Sequence, residues 1–337
     1  MLKRLTVGVL LVTLTGCGST GGDEKAASDP IQNVSAKARD AVVAAQSVDA
    51  SDFPKPAAGQ SIEQFAAQFA GNGPQALAGT SVYRTPGGRI AFGLLDAQQK
   101  FNYGPTVVYI APYKGGKVLG PFPAPADVLL TDPKYRSQQA ATEDSPFAAI
   151  YGADVPFKKP GVYKVLTVSD LDGRRVAAGM AAQVVSPADD RIPDVGEKAP
   201  AVQTDTRGSV HGDLDLLDTR EPKAPELSQV SFADVAGKKP VALLFSTPQL
   251  CQSRVCGPVT DEMLQVKAET GDKMTFIHQE TYADNDIQKG FREPLQRYAL
   301  QSEPWLFTVD RHGRIAARLE GSIGIRAFRE AVKAALK

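Results

Sequence analysis

Cysteine and histidine are scarce in this chain, three of each in 337 residues. So few thiolate and imidazole donors leave little material for a multi-metal enzyme. Excess charge of either sign is also lacking: 38 basic residues meet 38 acidic ones, and the basic residues do not cluster. No nucleic-acid partner is therefore expected. Apart from one N-terminal stretch, long apolar runs are missing too, and that stretch falls short of the roughly 20 residues that a membrane-spanning helix needs.

The N-terminal stretch, "MLKRLTVGVLLVTLTGC", places Lys3 and Arg4 before the apolar residues and small residues at the end, the order of a secretory signal. Its Leu-Thr-Gly-Cys ending resembles a bacterial lipobox. The resemblance implies that residues 1–16 are a lipoprotein signal peptide and that Cys17 is the lipidated first residue of the mature protein. The protein would then sit on the extracytoplasmic face of a cell membrane, held by its lipid anchor. Disulfides persist in such a compartment, and with Cys17 committed to lipid one pair remains, Cys251 and Cys256.

About 320 residues after the signal exceed what one core usually serves, so two domains are expected. Residues 17–75 are rich in Ala, Ser, Asp, Lys and Pro and read as a lipid-anchored flexible linker, with transient helix from Ala36 to Gln46 and a short helix carrying Ile62, Phe65 and Phe69. Residues 76–188 hold short β-branched or aromatic segments separated by Gly and Pro, such as "RIAFGLLD", "PTVVYIAP" and "GVYKVLTVSD". "LDGR" at Leu171 to Arg174 reads as a hairpin turn, because Asp-Gly supplies positive φ. This pattern predicts an all-β sandwich. "KKPGVYKVLTVSD" resembles the entry to a late strand of immunoglobulin-like domains, which implies an immunoglobulin-like sandwich with Tyr163 as its corner tyrosine.

Beyond the Pro- and Asp-rich stretch around residues 186–200, strands alternate with helices, the mark of an α/β layer. "KPVALLFS" and "MTFIHQE" are apolar strands. Val259, Met263 and Val266 fall on one face of a helix that Pro258 opens. Pro294 starts a short helix, "EPWLFTVD" and "IAARLEG" form a hairpin, and Ile325, Phe328, Val332 and Leu336 close the chain as an amphipathic helix. This order, with a cysteine-bearing turn between strand and helix, resembles a thioredoxin-like domain over residues 193–337. "VGEKAPAV" adds a likeness to the extracytoplasmic redoxins and peroxiredoxins. The resemblance implies an N-terminal all-β sandwich followed by a C-terminal α/β thioredoxin-like domain. It also implies that Pro304 is the cis proline facing the active cysteines.

The cysteine motif departs from that family. "FSTPQLCQSRVCGPV" keeps Cys-Gly-Pro at Cys256 to Pro258, but Val259 stands where a second cysteine would be. Pro248 occupies the position where a peroxidase needs Thr or Ser. Five residues apart in a continuous helix the two cysteines could not bond, so Cys251 is expected in the loop, folded back toward Cys256 at the helix start. The helix N-terminus lowers a thiol pKa there, and Arg254 could add positive potential.

Three readings follow. In the first, Cys251 and Cys256 cycle between dithiol and disulfide with extracytoplasmic protein thiols or disulfides as partners, and no cofactor is needed. The second follows a likeness to the membrane-anchored copper-insertion proteins of the Sco type: Cys251, Cys256 and His278 would bind copper, with His211 and His312 as weaker candidates. In the third the pair is a permanent disulfide in a binding lipoprotein. Glu280, Asp284 and Asp286 follow the histidine strand as expected loop carboxylates, and Trp305 either covers the thiols or packs in the core.

Overall fold

The computed structural model describes residues 36–69, 73–141 and 148–337. The expected signal segment and Cys17 lie outside the described residues. No helix among the described residues is long and apolar enough to cross a membrane.

Helices α1 (Ala36–Gln46) and α2 (Ile62–Ala66) come first. Ser61 opens α2 with a capping box: its hydroxyl accepts from the Gln64 amide, and the Gln64 side chain accepts from the Ser61 amide. The linker expectation needs correction over residues 36–69. Val42, Ala45, Phe53, Ile62 and Phe65 are buried, and Phe65 meets the Tyr109 ring edge-on at 4.8 Å. Its apolar residues are few but each is used, which composition alone does not show.

Among the described residues nine strands follow: β1 (Gln75–Ala78), β2 (Tyr83–Arg84), β3 (Gly88–Leu95), β4 (Thr106–Pro112), β5 (Leu119–Pro123), β6 (Ala126–Val128), β7 (Ala149–Val155), β8 (Gly161–Leu171) and β9 (Arg174–Val185). They form two sheets, ordered β1-β3-β7-β6 and β2-β9-β8-β4-β5. Ile90, Phe92 and Tyr151 from the first share a buried cluster with Val108, Ile110 and Val165 from the second. The alternate residues Val107, Tyr109 and Ala111 of β4 pack with Phe53 and Phe65 on the opposite face. Burial on both faces explains why β4 reads as an unbroken apolar run. Asp172 (φ 48°) and Gly173 (φ 72°) make the β8–β9 turn, as Asp-Gly predicts. The Tyr163 hydroxyl donates to the Lys159 carbonyl at 2.9 Å. Tyr163→Phe should cost about 1 kcal/mol, the net value of such a bond, without changing the fold. Urea unfolding monitored by circular dichroism measures it, and an unchanged midpoint would make the bond dispensable.

The remaining elements are α3 (Leu214–Leu217), α4 (Phe232–Val235), β10 (Val241–Phe245), α5 (Cys256–Thr270), β11 (Thr275–Gln279), α6 (Glu293–Arg297), β12 (Trp305–Val309), β13 (Ile315–Glu320) and α7 (Ile325–Ala335). Their sheet runs β11-β10-β12-β13. β10 and β11 are parallel and joined by α5, whereas β12 and β13 are antiparallel to their neighbours. Alternation divides β10 between two layers. Ala242 and Leu244 face a cluster with Val259 and Met263 of α5 and Phe328 of α7; Val241, Leu243 and Phe245 face Leu295, Tyr298 and Phe307. Leu336, expected on the buried stripe of the last helix, lies past the end of α7 and is exposed.

The sandwich and the α/β layer are knit together. The α5 and α7 side chains belong to the same buried cluster as the sandwich interior. Asp127 on β6 accepts from the Arg326 and Ala327 amides, both at 2.9 Å, and so satisfies the free N–H groups at the start of α7.

Candidate thiol site

The site begins where β10 stops. Beyond Phe245 the chain turns: the Cys251 amide donates to the Thr247 carbonyl at 3.1 Å, and the Arg254 amide donates to the Cys251 carbonyl at 3.2 Å. Arg254 takes φ 60°, a left-handed conformation that reverses the chain and costs a non-glycine residue some strain. The chain then enters α5 at Cys256, its first residue. Cys251 thus lies in the loop and Cys256 at the helix start. Both are free thiols, Cys251 7 % exposed and Cys256 fully buried.

Two neighbours fix the surroundings. A Cβ on Gly257 would come within 2.6 Å of Gln139, so only glycine allows the sandwich-side segment to approach the first turn of α5 this closely. On the other side, β12 pairs with β10 so that Trp305 faces Phe245. Pro304, in a cis peptide bond with Glu303, therefore stands beside the strand end from which the cysteine loop departs.

The two thiols are electrostatically unlike. Cys251 is held down to about 6: hydrogen bonding with Cys256 is the largest cause, burial opposes it, and Ser253 with the Cys256 and Val255 amides adds to it. The Ser253 hydroxyl lies 3.2 Å from the Cys251 sulfur. Those amides belong to the start of α5, where free N–H groups favour an anion. Cys256 is pushed well above its ordinary range, first by burial and then by Cys251. Glu303 is pushed up to about 7 by burial and by the Cys251 charge, and the Tyr282 hydroxyl lies 3.4 Å from its carboxylate. Ser253, Tyr282 and Glu303 were not singled out in the sequence. Glu303 was within reach of that reading, since it precedes the one proline matched to the family.

The other sequence candidates fall elsewhere. Cys251, Cys256 and His278 do not converge as a ligand set; among the described residues His278 groups with Asp218 and Glu280. Its Nε2 lies 3.1 Å from the Ser246 carbonyl oxygen and its Nδ1 3.8 Å from Asp218 Oδ1, so both ring nitrogens face oxygen. His211 and His312 are exposed. Asp284 pairs with Lys289 at 3.0 Å, and Asp286 caps a short turn through the Gln288 amide. Trp305 is core: it stacks on Phe307 at 5.9 Å and donates to the Ser302 hydroxyl.

No family model matches the chain, and no curated protein matches it. Several solved structures resemble part of it. One, named as a candidate thiol:disulfide interchange protein DsbE from Chlorobium tepidum, is 18% identical and overlaps 43% of this chain and 99% of its own, with a TM-score of 0.32. A thioredoxin family thiol:disulfide interchange protein from Chlorobium tepidum TLS is 16% identical over 44% of this chain and 99% of its own, with a TM-score of 0.30. The exposed lipoprotein thioredoxin Etrx1 from Streptococcus pneumoniae TIGR4 is 16% identical over 31% of this chain and 89% of its own, with a TM-score of 0.25. These overlaps cover less than half of the chain and superpose loosely, so the chemistry rests on the geometry of the site itself.

Proposed function

We propose that the chain is a thiol-disulfide oxidoreductase whose α/β half, residues 193–337, is a thioredoxin-like domain. The observation that carries the reading is the split between the two thiols: Cys251 held to about 6 in the loop, and Cys256 raised and fully buried at the helix start. An attacking thiol works best with a pKa near ambient pH, whereas its resolving partner stays protonated until needed. The Cys251 thiolate attacks one sulfur of a partner disulfide, the partner's other sulfur leaves as thiolate, and a mixed disulfide forms. Cys256 then loses its proton and attacks the Cys251 sulfur. The partner leaves as a dithiol, reduced by two electrons, and Cys251–Cys256 is the oxidised product. The same steps in reverse oxidise a partner.

Around this centre the proposal includes a sandwich of immunoglobulin type, residues 76–188, closed by the Tyr163 corner, and a lipid anchor on Cys17 that holds the protein at the extracytoplasmic membrane face. Its partners are then extracytoplasmic protein thiols or disulfides. The test is trapping: with a model protein disulfide, Cys256→Ser should accumulate a mixed disulfide through Cys251, Cys251→Ser should form none, and the unaltered protein should turn over. Failure of Cys256→Ser to trap a partner would sink the reading. So would a reduction potential well below about −300 mV, the range of structural disulfides.

A further inference from the structure

Directly behind the thiol loop lies a second cluster of titratable groups that the exchange chemistry does not use. Asp218, His278 and Glu280 are 2 %, 1 % and 1 % exposed, and one donor atom from each lies within 4.8 Å of the others. His278 sits on β11 opposite Leu244 of β10. Glu280 follows two residues later, which in extended chain returns it to the same face.

The hydrogen bonds define what each group has left to offer. The Ser246 carbonyl can only accept, so His278 Nε2, 3.1 Å away, is the protonated nitrogen. Nδ1, the nitrogen that bond leaves over, faces Asp218 Oδ1 at 3.8 Å. Asp218 is oriented by the Arg220 amide on Oδ1 and the Ala224 amide on Oδ2, at 2.9 and 2.8 Å. Glu280 Oε1 accepts from both the amide and the hydroxyl of Thr219 at 2.7 Å. Its other oxygen, Oε2, is buried without any hydrogen-bond partner. A buried carboxylate oxygen left bare is costly. The Thr247 hydroxyl, in the adjoining loop, is likewise buried without a bond of good geometry, and it lies close enough to the Glu280 carboxyl to favour its charged form without satisfying it.

We propose that Asp218, His278 and Glu280 form a binding site for one divalent cation of the zinc class, with Asp218 Oδ1, His278 Nδ1 and Glu280 Oε2 as its protein ligands. One imidazole and two carboxylates suit a borderline ion, in contrast to cuprous ion, which prefers sulfur. Zinc bonds of about 2.0–2.2 Å in tetrahedral array separate neighbouring donors by about 3.4 Å. Asp218 Oδ1 and His278 Nδ1, 3.8 Å apart, close to that value with a shift of a few tenths of an ångström. The Ala224 amide on Asp218 Oδ2, the Thr219 amide and hydroxyl on Glu280 Oε1 and the Ser246 carbonyl on His278 Nε2 already supply the outer hydrogen bonds that orient metal ligands. The ion would brace the thiol loop from behind, because the Ser246 carbonyl bonds His278 and the Gln249 amide donates to the Thr219 hydroxyl.

The site is independent of the thiols, so its test removes them. Full-length Cys251→Ser/Cys256→Ser protein, stripped with chelator, is titrated with Zn2+ against a competing dye and with Co2+ in the visible range. One equivalent of each should bind, and Co2+ should show d–d bands without a sulfur charge-transfer band. His278→Gln and Glu280→Gln should each weaken Zn2+ by more than the roughly 10–100-fold that outer-shell changes cost. Zn2+ should also raise the melting temperature of the parent and leave those variants unmoved. Should a ligand variant fail to fold, the Co2+ spectrum and stoichiometry of the parent still decide. Absence of stoichiometric binding once the cysteines are gone, or undiminished binding in a folded His278→Gln protein, overturns the proposal.

Discussion

Iodoacetamide labelling of Cys251 should be half-maximal near pH 6, the value to which its surroundings hold it, and should be nearly flat above about pH 7.5. The thiolate is the reacting species, so the rate follows its fraction. At pH 7 a thiol of that pKa carries about ten thiolates per thiol, whereas an ordinary cysteine carries only a few per cent. The sign follows: acidification from pH 7 to pH 5 should slow Cys251 roughly tenfold, and raising the pH from 7 to 8 should barely change it, where an ordinary thiol would gain nearly tenfold. Stabilising the thiolate also stabilises the dithiol relative to the disulfide. Tenfold thiolate excess corresponds to about 1.4 kcal/mol, or roughly 30 mV toward a more oxidising couple. Hydrogen bonding with Cys256 is the largest cause of the depression, so Cys256→Ala should move the midpoint up, and Cys256→Ser, which keeps a donor, should move it less. Glu303 is pushed up to about 7 by burial and then by the Cys251 charge, so the two carry a coupled titration; Glu303→Gln should therefore simplify the profile to one step. Labelling followed by mass spectrometry across pH 4 to 9 reads all four proteins. A Cys251 midpoint above about 8 would remove the basis for assigning it the attacking role.

The elements legible in the sequence are those whose pattern is enforced by burial over several residues. β4 and β8 are read from apolar runs because both lie between packed layers, and α5 from Val259, Met263 and Val266, all buried. β1, β2 and β6 span four, two and three residues, too few to show alternation above the background of a loop. The two leader helices are read at Ala36–Gln46 and around Ile62 and Phe65, but not their packing, because it rests on a handful of side chains spread over residues 36–69. The site was legible to the extent that it is local. Cys251, Cys256 and Pro304 announce themselves by residue type and position, and Glu303 stands next to Pro304, but Tyr282 joins them only through a chain reversal of many residues, and no spacing reports that. His278 lies on a strand, as its apolar neighbours predict, but the sulfur partners implied by the likeness to copper-insertion proteins do not gather round it: among the described residues the fold turns it toward Asp218 and Glu280.

Arg220→Met should destabilise the reduced protein by about 3–5 kcal/mol at neutral pH, the cost of leaving one member of a buried ion pair alone. Arg220 and Asp261 are 3 % and 1 % exposed in their side chains and meet at 2.9 Å. Arg220 also donates to the Pro222 and Tyr135 carbonyls, and Asp261 accepts from the amide and hydroxyl of Ser137. The pair thus ties the loop carrying Asp218, the sandwich-side segment and α5, five residues beyond Cys256. Its pH dependence separates lost charge from lost packing. Burial pushes Asp261 up to about 6 from its ordinary 3.8, against the pull of Arg220. A folded pKa above the unfolded one means a stability contribution that is whole below about 3.8 and is lost as pH rises through about 6. Removing the guanidinium raises the folded value further, so the deficit of Arg220→Met should be largest at pH 7 and shrink toward pH 5, where Asp261 can take up a proton. Asp261→Asn on top of Arg220→Met should recover part of the loss, because the amide oxygen still accepts from Ser137 and carries no charge. Urea unfolding of the single and double variants at both pH values decides it: a deficit independent of pH, with no recovery in the double variant, would mean that Arg220 acts through packing and its two carbonyl contacts alone.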